Sequence, residues 1–442
     1  MARSKSVEIE DIYALKFGAI WRQFQSEHFS FWMICCYLFV EYVRPQSIIP
    51  AINILPWAQF FILLSFGGWL IDPQRKGAGD PANKWIILFF CTILLSSYMA
   101  YRPDFSYPEL NKFYTWLIIY FLIINIVNTR PRFFIFLGVF VIASFKISLS
   151  LAMKWAMRGF SFTSWGLMGP PGFFQNSGEL AIQMAVFFPI AFTLASFFKP
   201  VVSKKMALLL ALMPITAVLT ILGSSSRGGQ VALAIQLVAM FWRNLIKPKV
   251  LIGAIISGVI LFSLVPEEQK ARFASAGNDG TSQQRLLYWK HGVEMIKAHP
   301  LLGVGYFNFV PYYHDYYGYD SLRGGVVELP HNIFIQVGTD AGLLGLFIFV
   351  AMMYRTVRAN TQTARGLAGA VDQKDVLFRR LAFSLNIALL GFVAAGQFVT
   401  VAYYPFMWIN LALTVALHRS TVATDLIKDK NKRHSLSSPK IT

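Results

Sequence analysis

The chain has 442 residues, of which 55% are hydrophobic and only 14% charged, more apolar sequence than a water-soluble domain needs. It therefore reads as a membrane protein, and nearly uncharged stretches such as 250–265 and 331–354 exclude a disordered or nucleic-acid-binding chain despite the net charge of +18. Cys35, Cys36 and Cys91 all sit inside apolar runs with no C-x-x-C spacing, so neither a disulfide framework nor a zinc site is expected.

In chain order, residues 1–28 read as an amphipathic N-terminal segment without a cleavable signal, so that the first span directs insertion itself. About twelve spans follow, taking about 20 residues to cross roughly 30 Å of hydrocarbon. They fall near 29–44, 51–71, 85–101, 113–128, 133–155, 178–198, 206–222, 228–243 and 250–266, then 332–354, 380–400 and 404–418. The predicted architecture is an all-α polytopic membrane protein. It has nine spans within 29–266, one long loop over 267–331, three spans within 332–418, and a polar tail over 419–442.

Most of the 40 lysines and arginines fall on one set of alternating loops, which the positive-inside rule places in the cytoplasm together with both termini. That accounts for most of the net charge through insertion and anionic membrane lipid. The long loop then lies outside. Within it, Leu286, Trp289, Val293 and Ile296 recur at helical spacing until Pro300, predicting an amphipathic helix over 284–299 flat on the outer leaflet. An aromatic run follows, from Tyr306 and Phe307 to Tyr317 and Tyr319. It suits either stacking on sugar rings or an interfacial belt.

Three outward-facing helix starts, near Gly178, Gly228 and Asn332, turn their positive dipole ends to the outer surface, where an anion is at home. The strongest is Gly223-Ser224-Ser225-Ser226-Arg227-Gly228-Gly229. Backbone N–H groups, hydroxyls and a guanidinium at one helix N-terminus make a phosphate site. The plain alternative is a tight polar turn with a snorkelling arginine. Arg285 stands four residues before Trp289, nearly on the same side of the predicted helix, and its planar fork suits a second pair of phosphate oxygens. His331, in Pro330-His331-Asn332, is the one outer histidine at a span boundary, where a helix N-terminus favours the neutral imidazole that a general base requires.

Weaker features are the turn-rich loop 165–178, the Glu41/Arg44 pair, expected to be structural, and Lys146 within a span, facing a cleft or snorkelling. No outer loop carries a D-x-D or E-x-D pair and no Ser-His-Asp arrangement is evident, which disfavours metal-dependent glycosyl transfer and acyl hydrolysis. The spans are read as carrying no Asp or Glu at mid-depth, against a proton-coupled transporter.

One order of motifs is more specific than any of its parts. Ser226-Arg227-Gly228 comes first, then Arg285 with Trp289, then Pro300-Leu301-Leu302-Gly303-Val304-Gly305. His331-Asn332 and Asp340-Ala341-Gly342-Leu343-Leu344-Gly345 complete it. This order is similar to that of the O-antigen ligase and polymerase superfamily, clearly over about 169–353. The resemblance implies a GT-C-type glycosyltransferase architecture in the bacterial inner membrane, with the site facing the periplasm. It implies a metal-independent, inverting transfer with no cofactor, from a glycan on undecaprenyl pyrophosphate to lipid A-core. Carried onto this sequence, it makes His331 the base and Arg227 and Arg285 the pyrophosphate ligands, with Arg158, Asn176, Ser226, Trp289 and Asn332 as further substrate contacts. An O-antigen polymerase and a protein O-glycosylation ligase share the donor. A lipid-linked oligosaccharide flippase, or a structural partner of an assembly complex, is the reading from another class.

Overall fold

The computed structural model describes residues 10–249 except 74, 76, 78 and 163–165, scattered positions from 252 to 274, residues 277–322, and residues 326–437 with side chains to 421. All regular structure among the described residues is helical. The longer helices are α1 (Phe17–Ser26), α2 (Phe29–Val43), α3 (Trp57–Ile71), α4 (Pro81–Tyr98), α5 (Leu110–Ile126), α6 (Arg130–Met157) and α7 (Ser177–Phe198). They continue with α8 (Lys204–Gly223), α9 (Arg227–Leu245), α10 (Gly280–Ala298), α11 (Phe309–Tyr317), α12 (Ile333–Gly366), α13 (Gln373–Ala395) and α14 (Pro405–Ser437).

Every predicted span except 250–266 has a helix at its position; most of 250–266 lies outside the described residues. Five helices, α6, α7, α8, α12 and α13, are long and apolar enough to cross a membrane, and α3 is a shorter apolar helix. Two boundaries differ from the hydropathy reading because caps, not hydropathy, end a helix. Asp372 caps α13 through Lys374 N–H, so the helix begins before its apolar stretch; at its other end Gly396 N–H closes on Phe392 O and residues 396–400 form a turn. α12 runs on through the polar stretch Arg355–Gly366.

α7 is the central helix. It packs against α6, α8, α9, α13 and α14 and is buried on every side from Leu180 to Ala191, as an all-round apolar helix must be. Lipid tails are as apolar as leucine, so small residues and polar links hold such helices together. A Cβ on Gly229 of α9 would lie 2.5 Å from the Ala181 Cβ of α7. The buried Gln236 amide on α9 donates to Ala185 O at 2.7 Å and Ile387 O at 2.9 Å, tying α9 to α7 and α13. Gly391 leaves the space this amide fills. At the opposite end of the bundle from the candidate site, Arg130 pairs with Asp375 at 2.6 Å and Arg132 with Glu27 at 2.5 Å.

α12 is broken at Gly342, which takes φ +66° and ψ −167°. That conformation belongs essentially to glycine. The break admits the segment after α10: Leu343 N–H donates to Pro300 O at 2.7 Å, and Val304 N–H to Thr339 O at 2.8 Å. Ser96 of α4 donates to Asp340 O and Leu302 O across the same junction. Asp340 itself is 2% exposed, with its carboxylate accepting from Phe307 N–H at 3.1 Å. The reading of spans without a mid-depth acid is thereby corrected, since Asp340 lies inside α12 and binds the loop backbone. The motifs Pro300–Gly305 and Asp340–Gly345 are thus two halves of one joint.

Alanine at 342 is expected to break that joint. Its Cβ would sit 2.4 Å from Leu301 C and O, and the left-handed backbone alone costs about 1–3 kcal/mol. Thermal unfolding of detergent-purified Gly342→Ala should show a midpoint several degrees lower. Gly366→Ala, which meets nothing within 4 Å, should be neutral, and equal midpoints for the two variants would refute the joint.

Candidate functional site

The starts of α7, α9 and α12 converge on the turn 396–400. A Cβ on Gly178 at the start of α7 would stand 3.0 Å from the Val399 side chain, and one on Gly228 at the start of α9 would stand 2.9 Å from Phe398. At the start of α12, Ile333 N–H donates to Gly396 O at 2.9 Å and His331 N–H to Thr400 Oγ1 at 2.8 Å. The Asn332 side chain caps α12, accepting from Phe334 and Ile335 N–H, and its amide donates to Gln397 Oε1 at 3.2 Å. Glycines at 178 and 228 are what let two helix ends come this close to the turn. Ser225 and His331 both hold positive φ, +56° and +52°, a costly conformation for such residues that clusters at functional sites.

The second wall is α10. Asp279 caps it through Ser282 N–H at 3.0 Å and accepts the Ser282 hydroxyl at 2.8 Å. Arg227 reaches over from α9, donating to Asp279 Oδ2 at 3.1 Å and to Ser282 Oγ at 3.3 Å. Desolvation pushes the Asp279 carboxyl up, but the bonds from Ser282 and Arg227 outweigh it and hold the group down at about 2. Asp279 is therefore fully ionised at neutral pH, and any anion drawn to Arg227 meets a carboxylate already there. One turn along, Arg285 follows Ser282 on the same face. Trp289 is next, its Nε1 donating to Pro330 O at 2.8 Å, beside His331. The His331 Nε2 lies 3.3 Å from Glu328 Oε2. One face of α10 thus runs from Arg227 through Arg285 to the backbone preceding His331, about 10 Å by helix rise.

Other residues fall differently. The Ser226 hydroxyl caps α9, accepting from Gly229 N–H at 3.3 Å. Asn176 and Glu179 form a capping box at the start of α7, a local task that the sequence reading had not assigned to Asn176. Arg158 follows α6 as an exposed residue. Lys146 is exposed on the outside of α6. Glu41 and Arg44 pair at 3.1 Å, and Gly172 leaves room for the guanidinium.

One expectation about the loop is corrected, and the other has its helix in place. α10 begins at Gly280 and buries Gln284, Tyr288, His291, Gly292 and Met295, while Leu286 and Val293 of the predicted apolar stripe stay exposed. Its inward face is chosen by fit, since Gly292 admits Ile335 of α12. The aromatic run is mostly buried: Tyr306 packs on Tyr403 in the main core, Phe309 and Tyr313 form a small core with Tyr288, and Tyr316 and Tyr319 stay exposed. His291 lies inside that unit, bridging Glu294 and Asp320 at 2.7 and 2.8 Å and stacked on Tyr317. Asp279, Ser282, Glu328, Gln397 and Thr400 were missed from sequence. Only Asp279 carried a signal, as an N-cap type three residues before Ser282.

Residues 212–350 match the family described as O-antigen ligase, and residues 12–197 match a family of unknown function, DUF5935. No curated protein matches the chain. The first match supports the resemblance to the O-antigen ligase superfamily. It extends from α8 into α12 and takes in Arg227, Arg285, Trp289, His331 and Asn332, whereas Arg158 and Asn176 fall in the other.

Proposed function

From the premise of an O-antigen ligase match over residues 212–350, we propose that this multi-pass membrane protein is an O-antigen ligase. It moves a glycan from undecaprenyl pyrophosphate to lipid A-core on the periplasmic side of the inner membrane. The observation that carries the reading is the single face of α10 that joins Arg227, Arg285 and the backbone before His331. A glycosyl pyrophosphate needs charge stabilisation at the leaving group and a base at the acceptor.

In this scheme Arg227 and Arg285 grip the pyrophosphate, supplying electrostatic stabilisation without a metal. Arg227 exchanges Asp279 for the incoming phosphate oxygens. His331 takes the proton from an acceptor hydroxyl whose oxygen attacks the anomeric carbon. The anomeric C–O bond to pyrophosphate breaks on the opposite face, its electron pair leaves on the phosphate oxygen, and configuration inverts. Glu328 holds the imidazole: with Nε2–H donating to its carboxylate, the lone pair sits on Nδ1.

The test uses purified protein with undecaprenyl-pyrophosphate-linked glycan, with and without lipid A-core, in EDTA. Glycan transfer that requires the acceptor and proceeds in EDTA is the expected result. Chain growth without lipid A-core would make the protein a polymerase, and transfer to a protein acceptor alone would make it a protein-glycosylating ligase. Movement of intact donor across the bilayer with no release of undecaprenyl pyrophosphate would overturn the enzymatic reading in favour of a flippase.

A further inference from the structure

The helices that build the site also build a cavity at their other ends. Between α7, α9, α12 and α13 lies a cavity of about 470 Å³, about 24 Å along α13 from the turn at Gly396. That distance puts it near the headgroup level of the opposite leaflet. Its floor is apolar, with Phe192, Met240, Phe241, Phe383 and Ile387, and its rim carries Arg365, Arg379 and Arg380. A second cavity, of about 260 Å³, adjoins it and shares Ser196 and Arg380. Arg380 lies over the Phe197 ring at 5.6 Å, between the two. Among the described residues no Asp or Glu lines either cavity.

The insertion rule explains arginines at this end of the bundle but not why those of two helices gather on one apolar hollow. Guanidiniums on a rim without carboxylates match a phosphate diester, and the floor beneath them matches an acyl chain. We propose that this cavity is a binding site for an anionic phospholipid of the surrounding bilayer. Its phosphate is held by Arg365, Arg379 and Arg380, and one acyl chain lies against Phe192, Phe241 and Phe383. The ligand is a resident lipid, bound in the leaflet opposite the glycan chemistry and independent of it.

Native mass spectrometry of the detergent-purified protein, titrated with phosphatidylglycerol and with phosphatidylcholine of matched chains, tests this. The wild type should retain phosphatidylglycerol at least about tenfold more tightly. The double variant Arg379→Gln/Arg380→Gln should bring that preference to within about twofold, and Arg365→Gln on the other helix should move it in the same direction. Arg365→Gln guards against local misfolding of α13. Lys204→Gln/Lys205→Gln, at the same end but away from the cavity, should leave the preference intact. An unchanged preference in the double variant, equal retention of the two lipids by the wild type, or displacement of phosphatidylglycerol by equimolar undecaprenyl phosphate would each overturn the proposal.

Discussion

Replacing His331 with alanine is expected to lower acceptor-dependent glycan transfer by about 10²–10⁴-fold, the usual contribution of a positioned general base. The protein should stay folded and inserted, because the local structure uses the His331 backbone. Its N–H bonds Thr400, while Asn332 supplies the cap of α12. His331 holds φ +52°, so His331→Asn, a residue that tolerates the left-handed region, separates backbone strain from loss of the base. Both variants should unfold within a few degrees of the wild type and both should be inactive. Transfer at the wild-type rate in either would falsify the assignment of His331 as the base.

Arg227→Gln is expected to reduce transfer by about 10²–10³-fold, the range seen when one charge-stabilising donor is removed. Its structural effect should be small, since Asp279 keeps its own bonds to Ser282 N–H and Oγ and continues to cap α10. Arg227→Lys preserves the charge but loses the planar fork that spans two oxygens, so its rate should fall between the two. Ordering of the three rates as Arg, Lys, Gln, measured as release of undecaprenyl pyrophosphate, supports a pyrophosphate ligand. Equal rates for Lys and Gln would mean that the guanidinium serves only to clasp Asp279.

The positions of the apolar helices were legible because hydrocarbon thickness sets a minimum apolar length, and five of the predicted spans are helices long and apolar enough to cross a membrane. The ends of those spans were not. Residues 396–400 look like the close of a span, yet α13 closes at Ala395 and they form the turn on which three helix starts meet. The same limit applies to faces. The apolar stripe at 286, 289, 293 and 296 marks one face of α10, but the face that packs on α12 is set by Gly292 against Ile335, a fit that periodicity does not encode. Within the site, Arg227 and His331 announced themselves through local context. Asp279 showed only as an N-cap type and Thr400 not at all; their site partners lie 52 and 69 positions away, a relation that neither composition nor periodicity encodes.

The break at Gly342 means that α12 is not a single rod. The part before the break, Ile333 to Ala341, is tied both to the loop, through Thr339, Asp340 and the segment 300–304, and to the bundle, through Gly396, Ala402 and Ser96. That part carries His331 and Asn332, while α10 in the same loop carries Arg285 and Trp289. The proposed base and one proposed phosphate ligand are therefore set by one joint, in which the loop, the start of α12 and the turn after α13 fix their spacing together.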